Sequence, residues 1–158
     1  MPSLTPGTPG TKEAYGISVI REDESIKIPP KAFERYELTN GSLVVLITTH
    51  RGEAGLALLN KGRAEATVFE KYISRMHEID TVYWFNDKAY ALTVIKNGTI
   101  RLTPELMQAF HLVVGDRLMV VKSTTVAMSY TPIAIWKEKF AQRGMFEAIE
   151  NMSKLDEF

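Results

Sequence analysis

Cysteine is absent from the 158 residues, which excludes a disulfide framework, thiolate catalysis and cysteine-ligated zinc. Net charge is absent too, since 19 Lys and Arg balance 19 Asp and Glu. Nothing therefore pulls the whole molecule towards nucleic acid or an anionic membrane, and any such affinity has to come from a local patch. No apolar run approaches the ~20 residues that span a bilayer. The start, Met1-Pro2-Ser3-Leu4-Thr5-Pro6, has neither the basic nor the apolar region of a secretory leader. A cytoplasmic protein without a membrane partner is the expectation.

Catalytic patterns are also missing. His50, His77 and His111 are isolated, with no His-x-x-x-His or Glu-x-x-His spacing for a metal. There is no Gly-x-Ser-x-Gly elbow, phosphate-binding Gly-x-x-x-x-Gly-Lys loop or Gly-x-Gly-x-x-Gly fingerprint. Asp116 has no paired acid, and its oxygen, like that of Ser42, is suited to hold a turn by accepting a backbone N–H. His111 stands at a helix end, where a cation offsets the helix dipole. The chain reads as a non-enzyme that needs no metal or cofactor.

What is present is an apolar fraction of 45% and a length that suits one compact domain burying roughly 70% of its unfolded surface. The chain also repeats itself. Ala14-Tyr15-Gly16-Ile17-Ser18-Val19-Ile20-Arg21 returns as Ala89-Tyr90-Ala91-Leu92-Thr93-Val94-Ile95-Lys96. After a turn one residue shorter in the second copy, 25–47 runs against 99–121, with Ile26/Ile100, Pro30/Pro104, Leu38/Leu112 and Gly41/Gly115 identical. Two copies at a period of about 75 residues suit one pseudo-twofold body better than an open solenoid.

Each copy reads β-β-α-β-β followed by helix. Residues 1–12, rich in Pro and Gly, read as a tail. In 13–66, alternation around Tyr15, Ile17 and Val19 makes a strand, Glu22-Asp23-Glu24 a turn, and Ile26 and Ile28 the return strand. Pro29-Pro30 opens a short helix, and Asn40-Gly41 supplies the left-handed position to close it. Leu43 to Ile47 pairs with Leu56 to Leu59 across the His50-Arg51-Gly52 loop. The spacing of Val68, Phe69, Tyr72, Ile73, Met76 and Ile79 after a Thr67 cap predicts a connecting helix over 67–80. In 81–131, Lys88 to Lys96 is a strand, Asn97-Gly98 the hairpin turn, and 99–130 repeats the earlier plan. Trp136, Phe140, Phe146, Ile149 and Met152 mark terminal helix over 132–158, broken at Gly144.

Ile26-Lys27-Ile28-Pro29 with Leu38-Thr39-Asn40-Gly41-Ser42-Leu43, and Ile100-Arg101-Leu102-Thr103 with Leu112-Val113-Val114-Gly115-Asp116-Arg117-Leu118, carry a resemblance. Each core resembles the AbrB/SpoVT swapped-hairpin family, and two units in one chain, each trailed by a helix, are similar to the MraZ arrangement. The resemblance covers roughly residues 13 to 130. It implies a mainly β, α+β fold in which two tandem repeats interleave hairpins into one pseudo-twofold barrel. It also implies a DNA-binding transcription regulator, contacting duplex DNA through the hairpin and short helix.

The family carries arginines on the first strand, just before the return strand, and as a pair in the short helix. The matching positions here are Ser18, Ser25, Phe33 and Glu34, then Thr93, Thr99, Met107 and Gln108, and none is basic. The Asp-x-x-x-Arg motif of MraZ is missing as well. Cations lie elsewhere: between Lys88 and Lys122, five basic residues face two acidic ones, a net of +3. The candidate nucleic-acid-binding residues are therefore Lys88, Lys96, Asn97 and Arg101, with Lys27 and Arg21 from the first copy. The alternative is a protein-interaction or assembly module that kept the fold without DNA binding. It would dock a partner or a second copy through 68–79 and 136–155, at exposed Phe146 and Met152.

Overall fold

A computed structural model describes residues 2–3, 12–49 and 53–158. The protein is mainly β, with short helices. In chain order it runs β1 (Pro2–Ser3), β2 (Lys12–Val19), β3 (Ser25–Lys27), α1 (Pro30–Arg35), β4 (Leu43–Ile47), β5 (Leu56–Asn60), α2 (Lys61–Glu65) and α3 (Glu70–Ile73). The second stretch runs β6 (Tyr83–Phe85), β7 (Lys88–Val94), β8 (Thr99–Arg101), α4 (Pro104–Ala109), β9 (Arg117–Lys122), β10 (Ala127–Pro132), α5 (Ile133–Gln142) and α6 (Phe146–Met152). Among the described residues no helix is long and apolar enough to cross a membrane. Most of the tail expected over 1–12, and the His50-Arg51-Gly52 loop, lie outside the described residues. Pro2–Ser3 pairs in parallel with Lys12 and Glu13.

An eight-stranded sheet has the order β1-β2-β9-β10-β5-β4-β7-β6, and β3 and β8 form a separate two-stranded ladder. The strands of 13–66 pair with those of 81–131. β2 runs antiparallel to β9, β4 to β7, β5 to β10 and β3 to β8. β2 and its counterpart in the repeat, β7, thus each lie against a strand of the other stretch, β9 and β4 respectively.

Alternation decides which face each residue meets. One face, with Val44, Leu46, Leu58, Leu118, Val120 and Tyr130, shares its core with Ile26, Ile28, Ile100 and Leu102 of the ladder and with Tyr36 and Phe110 at the ends of α1 and α4. The other face is covered in two places. Phe69, Tyr72, Ile73 and Met76 pack on Val45, Leu59 and Leu92, while Trp136, Phe140, Ile149 and Met152 pack on Ala14, Met119 and Val121. The middle pair, β5 and β10, lies between these two covers.

Turn chemistry is local. Asn97 (φ 52°) and Gly98 (φ 70°) both take positive φ, and Lys96 and Thr99 exchange both backbone hydrogen bonds at 2.9 Å, the two-residue type I′ hairpin. α1 and α4 close differently from expectation. The left-handed residues are Glu37 (φ 53°) and His111 (φ 56°), and the N–H groups of Leu38 and Leu112 donate to the carbonyls of Phe33 and Met107. That is a Schellman closure. Gly41 (φ 86°) belongs to the next turn, where its N–H donates to Ile95 O. Asp116 Oδ2 accepts from Val113 N at 2.9 Å, whereas Ser42 Oγ donates to Thr39 O.

The connecting helix is much shorter than its periodicity predicts. Only one α-turn forms, because it already brings Phe69, Tyr72, Ile73 and Met76 onto the sheet. Val68 and Ile79 stay exposed, and the N–H groups of His77 and Glu78 donate to Tyr83 Oη. Gly144 (φ 67°) does break the terminal helix. The last residues then bind the sheet, with Ile17 N donating to Asp156 O and Phe158 N to Ile17 O.

Buried phenols set a pH limit. Tyr36 Oη is within hydrogen-bonding distance of the Thr124 and Ala127 carbonyls, and Tyr130 is fully buried. Burial pushes both phenols above the usual tyrosine range. The native state then holds these protons after the unfolded chain, with phenols near pH about 10, has released them. Their contribution is complete below that pH and is lost as pH rises towards the native values. Urea midpoints should fall steeply above pH ~10, and Tyr36→Phe should flatten the fall. A midpoint unchanged in alkali would contradict this.

Candidate nucleic-acid interface

The β3–β8 ladder and the two hairpin turns at its ends hold five of the six candidate residues. Ser25 faces Arg101, Ile26 faces Ile100, and Lys27 faces Thr99. Because the strands are antiparallel, the turns are at opposite ends. Their electrostatics differ.

At one end the turn is acidic. Arg101 donates through Nε and Nη2 to Glu24 Oε1 at 3.1 and 2.7 Å, so its charge is answered from the other stretch. Asp23 accepts from Ser25 N and Oγ at 3.0 and 2.6 Å, and the Ser25 side-chain bond is the main cause holding its carboxyl below the usual range. Arg21 is exposed on the same turn, beside Glu22 and Asp23. Phosphate would meet a carboxylate wherever it met a cation here.

The other end is basic. Lys96 and Asn97 are exposed, and a Cβ placed on Gly98 would sit 3.2 Å from Lys27 Nζ. Asn40 Oδ1 accepts from Gly98 N at 2.8 Å and ties this tip to the first stretch. Gly98 O in turn accepts from Ile28 N at 2.9 Å. Among the described residues neither Lys27 nor Lys96 is ion-paired. The structure brings together Lys27, Lys96 and Asn97 out of the six.

Lys88 does not belong with them. Its neighbours Ala89 and Ala91 face the core shared with the ladder, so Lys88 points to the opposite side of the sheet. There it lines a groove with Lys139 and Arg143, a grouping hidden in the sequence because it joins β7 and α5.

The positions where the resembled family has arginines are largely unavailable for contact. Ser18 and Thr93 are buried, as is Met107, and Phe33 packs against the core. Ser18 Oγ donates to Lys27 O, Thr93 Oγ1 to Asp80 Oδ1, and Thr99 Oγ1 to Lys96 O. Met152 is likewise buried, at 2% exposure, so of the two docking residues expected on the terminal helix only Phe146 is exposed, at 64%. In β6, Phe85 stacks on Tyr72 at 5.2 Å, while Trp84 projects from this edge strand at 63% exposure.

No family model matches this chain, and no curated protein matches it.

Proposed function

We propose that the chain is a non-catalytic DNA-binding module, with both halves of a swapped-hairpin barrel in one polypeptide, that touches duplex DNA through its basic hairpin tip. The observation that carries this reading is the meeting of Lys27 with Lys96 and Asn97 across two distant parts of the chain. Lys27 Nζ beside Gly98 and the exposed Lys96, neither ion-paired among the described residues, make a small phosphate-binding surface, and Asn97 adds donors for a phosphate or a base edge. The cross-pairing of β2 with β9, β4 with β7 and β3 with β8 supports the barrel reading, as does the internal sequence repeat.

A duplex titration on the full chain at low salt tests it. Lys27→Ala with Lys96→Ala should weaken binding about tenfold and lower the salt slope by roughly two, one unit per lost phosphate contact. Arg101→Ala should leave affinity within about twofold, because its charge is already spent on Glu24 and such exposed pairs contribute at most ~1 kcal/mol. Absence of low-salt binding, or binding indifferent to both lysines, removes the reading.

A second reading, an assembly module, is favoured by the exposure of Trp84 and Phe146. It predicts a defined oligomer that Phe146→Ser disrupts, where the first predicts no change in mass.

A further inference from the structure

The sheet face opposite the ladder carries a groove of about 650 Å³, within the range of small-molecule sites. Its floor is the β5–β10 pair, where Ala57 faces Ser129 and Leu59 faces Ala127 in register. These outward side chains are small at three of four positions, which is what leaves the space. Phe69 stands on one side and Trp136 of α5 on the other.

Three cations on this face line the groove, Lys88, Lys139 and Arg143; Lys122 borders it at the end of β9, but in register with Met128 of the ladder-side core its side chain belongs to the opposite face. Among the described residues no Asp or Glu lines it, and the one acid ion-paired to the three cations is Glu53, 3.5 Å from Lys139. Three like charges against one leaves two uncompensated in a single depression, an arrangement that a doubly charged anion relieves. A separate polar group also lacks its match: Trp136 Nε1 is buried and finds no hydrogen-bond acceptor among the described residues. Buried donors are normally satisfied. The indole face gives no further stacking surface, since Phe140 stacks on it at 5.6 Å and Lys139 Nζ lies 5.4 Å from its centroid.

We propose that this groove is a binding site for an organic phosphate, with the phosphate held by Arg143 together with Lys139 and Lys88 and an apolar or planar body lying on the β5–β10 floor. A phosphate ester suits the charge better than a carboxylate, because it carries up to two charges and three acceptor oxygens. Trp136 Nε1 is itself closed off from the groove, so the indole serves as a reporter of binding and not as a ligand. The apolar floor selects against a bare inorganic anion. The site is independent of the DNA reading, being on the other face of the sheet.

The test uses the full chain carrying Trp84→Phe, which removes an exposed indole and leaves Trp136 as the sole tryptophan reporter. Adenosine monophosphate and phenyl phosphate should each give a saturable change in Trp136 emission, with inorganic phosphate and adenosine at least about tenfold weaker. Lys88→Ala with Arg143→Ala should weaken both esters about tenfold or more. Ser129→Phe, which fills the floor, should abolish the signal while melting temperatures confirm that each variant folds. Lys96→Ala should change nothing, which separates this site from the hairpin tip. Absence of saturation by either ester, equal affinity for inorganic phosphate, or indifference to the paired substitution would each overturn the proposal.

Discussion

Severed between Asp80 and Thr81, the two halves will each fail to fold as a soluble monomer, and expressed together they will recover one folded body. The reason is where the strand partners lie. Without the second half, β2 loses β9, β3 loses β8, β4 loses β7 and β5 loses β10. The main core is shared residue by residue: Ile26, Ile28, Leu46 and Leu58 from one half touch Ile100, Leu102, Leu118 and Tyr130 from the other. Exposing about ten such side chains costs roughly 15–30 kcal/mol at 1.5–3 kcal/mol each, more than the 5–15 kcal/mol that holds a typical domain together. Each fragment would also present long unpaired strand edges, the usual route to aggregation. The check is solubility and sedimentation of each fragment, then circular dichroism of the mixture. A monomeric, cooperatively melting 1–80 fragment would contradict it.

Gly55→Ala is the single substitution expected to cost most. Gly55 takes φ 128°, and a Cβ there would approach the Tyr130 carbonyl oxygen to 2.6 Å. That obstacle is backbone, and it lies at the end of the β5–β10 pairing, where Tyr130 faces Leu56. The chain cannot drift away freely, because Gly55 N also donates to Phe110 O at 3.0 Å. Strain of this kind costs of order 1–3 kcal/mol from the dihedral alone, before the clash is counted. A loss of about 3 kcal/mol or more corresponds to a melting temperature lower by roughly 10 °C in a chain of this length. Gly41→Ala and Gly115→Ala are the controls. Both have positive φ, yet a Cβ meets nothing within 4 Å, so each should cost only about 1 kcal/mol. Thermal denaturation of the three variants separates steric from dihedral cost, and equal losses would show that the Tyr130 contact is immaterial.

The sequence disclosed what depends on local chemistry. Asn97-Gly98 forms a type I′ turn because both residues tolerate positive φ, and Pro30 and Pro104 open short helices because a first-turn residue needs no N–H partner. Alternation in β2 was legible because its residues take two different faces, whereas β4 showed as an unbroken apolar run because both of its faces are buried. Periodicity misled at 67–80, where apolar residues recur at helical spacing but serve one turn and two loops. Glu37 and His111 as left-handed closers carried no signal, since Gly41 and Gly115 advertised that role more strongly. β6 was missed, being three residues of aromatic side chains that also suit a linker.

The candidate site was less legible than the fold, for a physical reason. Charge along the chain does not say which cations are already paired. Arg101 was indistinguishable from Lys96 in sequence, yet Glu24, 77 residues away, answers one, while among the described residues no acid pairs with the other. Lys88 fell near Lys96 in the chain but on the opposite face of the sheet. Lys27, from the first copy, proved to share the tip with the second.

The strand pairing between halves underlies both the fold and the basic tip, and nuclear Overhauser contacts in solution read it most directly. A dilute mixture of labelled and unlabelled chain should give intramolecular contacts between Ile26 and Ile100, Ile17 and Met119, and Val45 and Leu92, each a register pair. Contacts confined within each half, or the same contacts found only between chains, would contradict it.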